Sequence, residues 1–462
     1  MMNSIHLSSF KLSDKLKGTH FTIKRLATVW ILLFALFEHT HAQEIRALID
    51  LQTHCTVHVP YPFFSEGLTY FEEEPDLSHK HLLTNINYAN YIENNPGARI
   101  LVNGALCNEI IRTKKGARKK VLKQIDHVNQ FVVNHSEKFA VAKSPEELRK
   151  LVLETDKIIF VHSIEGGKKL INSQEDAQFW ADQGVAFVTL IHLRDDEFGG
   201  AAIAPRAITK IINWKALPRQ PEYRGLTKKG KQAILWLANA GIMTDLTHMS
   251  DSSRNDALTL MKEHSIPPIV THDLFKPIQN QPRGISKEDV LRIYKLGGFV
   301  SIPISGDSNK PHKPEAEYQL EMDSLHAQEC YCEGSVDSYI YTYQKVLSFV
   351  QAHTGEILQD SSLHFETLTE SQKVQLSLGF QSDFNGWLNH SIPRVGDDGC
   401  YEIDPTQKYE AIELTGMPHP GLLESQWNYM RKRQVDLSPL ERNAEHFVRI
   451  WESLLARSFN TH

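Results

Sequence analysis

Short apolar runs alternate along the chain with longer stretches in which apolar residues recur every three or four positions. The runs, in order, are RALIDLQTH, ARILVNGAL, KIIFVHSIEG, VAFVTLIHL, GIMTDLTHMS, PPIVTHD, GGFVSIPIS and LSLGFQSDFNG. They are short, rich in Val, Ile and Phe, and bounded by Gly, Pro and polar residues, which predicts buried strands. Between them KKVLKQIDHVNQFVVNH, SPEELRKLVLE, TKKGKQAILWLANA and SKEDVLRIYKLG carry the helical period. Three of these open on Ser or Thr at a capping position, and Gly297 stands where one should end. Eight strand runs, each followed by a helix or a long loop, predict an α/β fold, a (β/α)8 TIM-type barrel. The rival is an open doubly wound sheet, but the chain has no Gly-x-Gly-x-x-Gly or Walker loop to support it. Pro303–Gly334 is polar and irregular and predicts an insertion after strand seven. From Pro393 the pattern predicts a loop and then a C-terminal helical extension, PLERNAEHFVRIWESLLARS.

Polar residues recur at one place in these runs, the C-terminal end. His54 follows ALIDLQT, Glu165 follows IIFVHSI, His192 follows FVTLI, His248 follows MTDLT, His272 follows PIVT, and Asp383 follows LGFQS. In a barrel of this type the C-terminal rim is where active sites form. A lone histidine beside an apolar run is more often core or surface than ligand, and the chain has 23 of them. The joint pattern carries the inference, and His162 and His58 are read as a strand histidine and a loop histidine. Clustered imidazoles with a carboxylate point to a divalent metal, zinc foremost.

Composition changes this picture little. The 462 residues are 41% hydrophobic and 23% charged, with a formal charge of −6, an ordinary globular balance that suggests no nucleic-acid partner. The basic run RTKKGARKKVLK has no interleaved aromatics and reads as a solvated helix face. At the N-terminus Lys24 and Arg25 precede LATVWILLFALF, and Ala42 ends the polar stretch that follows. That is the layout of a signal peptide over residues 1–42, leaving 43–462 as one barrel domain. The apolar run is short for a membrane span, although an uncleaved anchor is the alternative. The expected mature chain has no integral span and is exported, to the periplasm or the extracellular space. Five cysteines suit an oxidising compartment loosely. Cys330 and Cys332 are too close to bridge each other easily. Each has Cys55, Cys107 and Cys400 as candidate partners, and at least one thiol is left over.

The motifs SIEGGKKL, FVTLIHL, GLTKKGKQAILWLANAGIMTDLTHMS, PPIVTHDLFKPIQNQPRGISKEDVL and GFQSDFNG resemble, in content and order, the membrane (renal) dipeptidase family of metal-dependent amidohydrolase-like barrels. The resemblance spans Ile45 to Trp387 and is weaker over the insertion and the C-terminal segment. It implies a role for each matching residue. Glu165 would bridge two zinc ions, and His248 and His272 would complete one of them. His192 would contact the substrate near its reacting carbonyl, Arg283 would hold the substrate, and Asp383 would be the acid–base group. Asn385 stands where many relatives have a second aspartate. The family's His-x-Asp pair after strand one, which serves the other zinc, reads Gln52 and His54 here. Imidazole can still ligate from His54, whereas an amide oxygen is a weak zinc donor. One tight zinc site and a doubtful second are therefore expected.

The function implied is a zinc-dependent dipeptidase cleaving small peptides with a metal-activated water. A homodimer is compatible with it. Two alternatives stay open: a metal-dependent amide hydrolase of changed substrate, and a non-catalytic binding protein on the same barrel.

Overall fold

The computed structural model describes residues 43–55, 92–94, 97–107, 113–203, 224–304, 310–384, 391–417 and 420–459. Its strands, in chain order, are β1 (Ile49–Thr53), β2 (Ile100–Leu106), β3 (Phe139–Val141), β4 (Ile158–Glu165), β5 (Val185–Thr189), β6 (Met243–Asp245), β7 (Ile269–Val270), β8 (Leu274–Phe275), β9 (Gly284–Ile285), β10 (Phe299–Pro303) and β11 (Gly379–Gln381). Each of the eight predicted runs contains one of them. β2, β1, β11, β10, β7, β6, β5 and β4 lie side by side in that order, and β2 pairs back onto β4, closing an eight-stranded parallel barrel. Strands covered on both faces read as near-continuous apolar runs, and β4, β5 and β10 are buried at every position, their few polar residues included.

Three strands were not predicted. β3 pairs with Ile158–Phe160 of β4, ahead of β5, which pairs with the same edge of β4 from His162 onward. β8 and β9 form a separate two-stranded parallel ribbon directly after β7.

The predicted helices form where their caps and apolar stripes place them. Ser144, Thr227 and Ser286 accept hydrogen bonds from the backbone N–H of Glu147, Gly230 and Asp289, and so begin the helices Pro145–Glu154, Lys228–Asn239 and Lys287–Lys295. Lys287–Lys295 also carries acidic residues in its first turn and basic ones in its last, which suits the helix dipole. The predicted KKVLKQIDHVNQFVVNH helix starts earlier, at Lys114, capped by Thr113.

The insertion after β10 is more ordered than its sequence suggests, because it holds the helix Ala316–Ala327. Only Met322 of that helix is buried, so it shows no apolar stripe. A disulfide joins Cys332 to Cys400 and ties the insertion to the segment after β11, while Cys55, Cys107 and Cys330 stay reduced. Asp337 reinforces the tie by accepting from Cys332 N at 3.1 Å, Arg394 Nε at 2.9 Å and Tyr429 Oη at 2.7 Å.

The C-terminal helix Ser438–Phe459 closes the opposite end of the barrel. Ala47 N donates to Glu441 O at 3.2 Å, just ahead of β1. His446 Nε2 meets Gly297 O at 3.0 Å, just ahead of β10. Arg149 joins in with bonds to Glu445 at 2.7 Å and Glu452 at 3.1 Å. Among the described residues no helix is long and apolar enough to cross a membrane. The expectations for residues 1–42, His58 and Asn385 lie outside the described residues.

Candidate metal centre

Parallel strands of one ring present their C-terminal ends on one side, so the residues that follow each strand converge. Gln52 is in β1 and His54 follows it. Glu165 ends β4, His192 lies three residues past β5, and His248 three past β6. His272 and Asp383 each lie two past β7 and β11. Two of these positions need an unusual backbone. His248 has φ 66° and Asp383 φ 48°, in the left-handed region that non-glycine residues rarely occupy. Asp383 is held there by its N–H bond to Gln52 O at 2.8 Å, and His248 by its N–H facing Asp273 Oδ1 at 3.3 Å.

The side chains close on Glu165. Its Oε1 lies 3.0 Å from His272 Nε2 and 3.3 Å from both His192 Nε2 and His248 Nε2. Its Oε2 lies 3.1 Å from His54 Nε2. His54 Nε2 is also 3.2 Å from Asp383 Oδ1 and 3.2 Å from Gln52 Nε2. All seven residues are buried. The cluster divides into two halves that share Glu165, one with His248 and His272, the other with Gln52, His54 and Asp383.

The electrostatics of the two halves differ. Burial opposes the His54 imidazolium, but Glu165 and then Asp383 outweigh it and push its pKa up to about 10. Burial would raise Glu165, yet His192 and His54 bring it well below the usual carboxylate range. Burial, followed by Arg283 and His192, drives the His248 imidazolium well below its ordinary value, so that ring is neutral and its nitrogen is available as a donor.

In the first half His248 Nε2 and His272 Nε2 face each other at 3.0 Å, both against one carboxylate oxygen. Basic nitrogens and an anionic oxygen gathered so closely suit a bound divalent ion. Among the described residues Glu165, His248 and His272 form a group whose ligand atoms all lie within 4.8 Å of one another.

The second half is chemically poorer. Gln52 Oε1 is buried without a hydrogen-bond partner. It is the only donor atom that the amide could offer a cation. Its side chain fits because residue 104 is glycine: a Cβ there would lie 2.5 Å from Gln52 Nε2. His54 is oriented through Nδ1, which faces Gly104 O at 2.7 Å.

Arg283 reaches the site by way of the unpredicted ribbon, since it immediately precedes β9. Its Nη2 donates to His272 O at 2.6 Å, and its Nε lies 3.6 Å from Asp273 Oδ1. Asp273 in turn faces Arg254 Nη1 at 3.5 Å. Arg254 is fully buried, bonded to Asp289 Oδ2 and Gly284 O at 3.0 Å each. Sequence reasoning named neither Asp273 nor Arg254. Their signal was present in THD and in an arginine on the inner face of a helix, but nothing local separates such a pair from surface charge. His162 is not part of the centre. It pairs with Asn129 at 3.0 Å, and burial followed by Lys143 lowers it to about 4.

The model of the family described as membrane dipeptidase (peptidase family M19) matches residues 67–355. The dipeptidase ataJ of Aspergillus terreus is 22% identical over 194 residues, 40% of this chain and 45% of that protein. An uncharacterized dipeptidase of Schizosaccharomyces pombe is 22% identical over 206 residues, 45% of this chain and 46% of that protein. The matched stretches thus span less than half the length of these curated relatives. Two solved structures share the fold across nearly their whole length. Dipeptidase AC, a metallo peptidase, is 14% identical with a TM-score of 0.53, covering 90% of this chain and 99% of its own. A metallo peptidase from Rhodobacter sphaeroides, liganded with a phosphinate mimic of the dipeptide L-Ala-D-Ala, is 13% identical with a TM-score of 0.52, covering 89% of this chain and 99% of its own.

Proposed function

The chain belongs to the membrane dipeptidase family, and from that premise we propose that it hydrolyses the peptide bond of dipeptides with zinc as its metal. The observation that carries this reading is the convergence of His248 Nε2 and His272 Nε2 on Glu165 Oε1 at 3.3 and 3.0 Å. Two imidazoles and a carboxylate are a zinc donor set that leaves a position for water. A zinc ion held there supplies a Lewis acid and lowers the pKa of a water toward neutrality.

The chain's own residues do the rest. Asp383, 3.2 Å from His54 Nε2, accepts the proton of the attacking water and returns it to the leaving amine. His192, in edge contact with His248 at 4.5 Å between ring centroids, donates to the oxygen that gains charge as the carbonyl is attacked. Arg283, oriented by His272 O, pairs with the free carboxylate of the substrate. Such a carboxylate close to the scissile amide is what distinguishes a dipeptide from an internal peptide bond. Gln52 and His54 form a weaker second site, so one zinc is held tightly and the second loosely. The segment 1–42 is the export signal.

The insertion favours a second reading, an amide hydrolase of changed substrate. His312 N donates to Ile278 O at 3.1 Å and Glu315 N to Pro277 O at 2.8 Å. The insertion therefore grips the loop between β8 and β9 that carries Arg283, and rim loops set specificity. One experiment separates the readings: elemental analysis of the purified chain beside a hydrolysis panel of L,L and L,D dipeptides, N-acyl amino acids and tripeptides. Cleavage confined to dipeptides supports the first reading. Cleavage of N-acyl amino acids alone supports the second, and no bound metal sinks both.

A further inference from the structure

Behind His272 the ends of β5, β6 and β7 build a polar nest that touches no reacting group. Asp245, the last residue of β6, is fully buried, and its carboxylate accepts five hydrogen bonds. Its Oδ1 receives Thr247 N and Thr271 N at 3.1 Å each and Thr247 Oγ1 at 2.7 Å. Its Oδ2 receives Thr189 Oγ1 at 2.6 Å and Thr271 Oγ1 at 2.7 Å. Thr271 Oγ1 also lies 2.8 Å from His272 Nδ1.

A hydroxyl has one proton to give. Thr271 gives its proton to Asp245, so toward His272 it can only accept. Of the two ring nitrogens Nδ1 is therefore the one that donates, which leaves the Nε2 lone pair to face the shared point beside Glu165 and His248. We propose that Asp245 and Thr271 are positioning residues of the metal centre, a carboxylate–hydroxyl–imidazole relay that fixes the tautomer and ring angle of His272 for a divalent cation. This rests on reading Glu165, His248 and His272 as the metal site. The three histidines of the two halves differ in this respect. His54 is oriented by a main-chain carbonyl, which no side-chain exchange removes, and His248 Nδ1 is buried without a partner. Only His272 among these three has its Nδ1 held by a side chain that a mutation can delete.

A purely structural role must be separated from this one, because Asp245 also ties three strands together. Thr271→Val keeps the shape and removes the hydroxyl, whereas Thr271→Ser keeps the hydroxyl. The measurement is the zinc dissociation constant of each folded variant by competition with a chromogenic chelator, with folding checked by circular dichroism and urea midpoint. The valine variant is expected to bind zinc about 10–100-fold more weakly than the parent, and the serine variant within about threefold of it. Asp245→Asn provides the second test if the valine variant does not fold. Its amide must donate to one of the threonine oxygens. A donation to Thr271 turns that hydroxyl's proton toward Nδ1 and forces the opposite tautomer, with the same loss of affinity expected. A valine or asparagine variant that binds zinc like the parent, with only its urea midpoint lowered, overturns the relay and leaves a strand tie. So does a serine variant as weak as the valine one. If the parent itself binds no zinc, or His272→Ala binds as much as the parent, the metal-site reading fails instead.

Discussion

The disulfide between Cys332 and Cys400 closes a loop of 68 residues across the insertion and the segment after β11. Its removal by Cys400→Ser frees the unfolded chain of that constraint. The loop-closure relation for a loop of this length gives a stabilisation of about 4 kcal/mol near room temperature. For a unit of about 400 residues, with an unfolding entropy of about 2 cal/mol/K per residue, that corresponds to a fall in Tm of about 5 °C. Urea unfolding of parent and variant under oxidising buffer reads it directly, and the parent in reductant should match the variant. Cys332→Ser should match Cys400→Ser, whereas Cys330→Ser should leave stability near the parent. A loss below about 1 kcal/mol for Cys400→Ser would refute the chain-constraint reasoning. A large loss for Cys330→Ser with none for Cys332→Ser would show that the other thiol of CYC makes the bridge. The insertion also grips the loop carrying Arg283, so untethering it is expected to raise KM for a dipeptide more than it lowers kcat.

Asp383→Asn should keep zinc content near the parent and lower kcat by about 10²–10⁴-fold, as loss of a general acid–base group does; parallel loss of zinc would make Asp383 a ligand instead. Gln52→His should raise zinc toward two per chain after dialysis against metal-free buffer, since imidazole binds zinc better than an amide oxygen; two tight zincs in the parent would show that Gln52 does not weaken the site. His446 should make the fold acid-sensitive. Burial is the main cause that lowers its imidazolium to about 4, and the neutral ring bonds Gly297 O at 3.0 Å and Ser377 Oγ at 3.1 Å. The folded value lies below the unfolded one, so the unfolded chain gains a proton first as pH falls, and stability is lost between about 6.5 and 4, by at most about 3 kcal/mol. His446→Gln should flatten that part of a urea-midpoint profile against pH, and an unchanged slope would exclude His446 as its source.

The eight barrel strands were legible because each is an apolar run with both faces covered, and the residues of the centre because each follows such a run. Where a side chain's neighbours lie far along the chain, the local pattern is silent. Phe139–Val141 has a single buried residue, and the ribbon has two residues per strand, too little for any period to register. The helix Ala316–Ala327 lacks an apolar face, so its residues read as loop. Asp245 looks like a polar interruption within MTDLTH until the three threonines that bond it are brought together from β5 and the turns after β6 and β7. That Gln52 offers a metal no more than an amide oxygen was readable from residue type alone. That Gly104 makes room for it was not, since β2 meets β1 only in the folded sheet.

The pairing of β1 with β11 also orders the centre in time. His54 N bonds Phe384 O at 3.0 Å and Asp383 N bonds Gln52 O at 2.8 Å, contacts that join the first strand of the ring to the last. Glu165, His248 and His272 are all synthesised before β11, and their strands can associate as neighbours. The seam between β1 and β11 must wait for the last strand, and contacts so distant in sequence form slowly. Asp383 is therefore the last of these residues to arrive, just after the strand that seals the ring. An unfinished chain carries Glu165, His248 and His272 without Asp383, so the two halves of the cluster come together only once β11 has been made and has found β1.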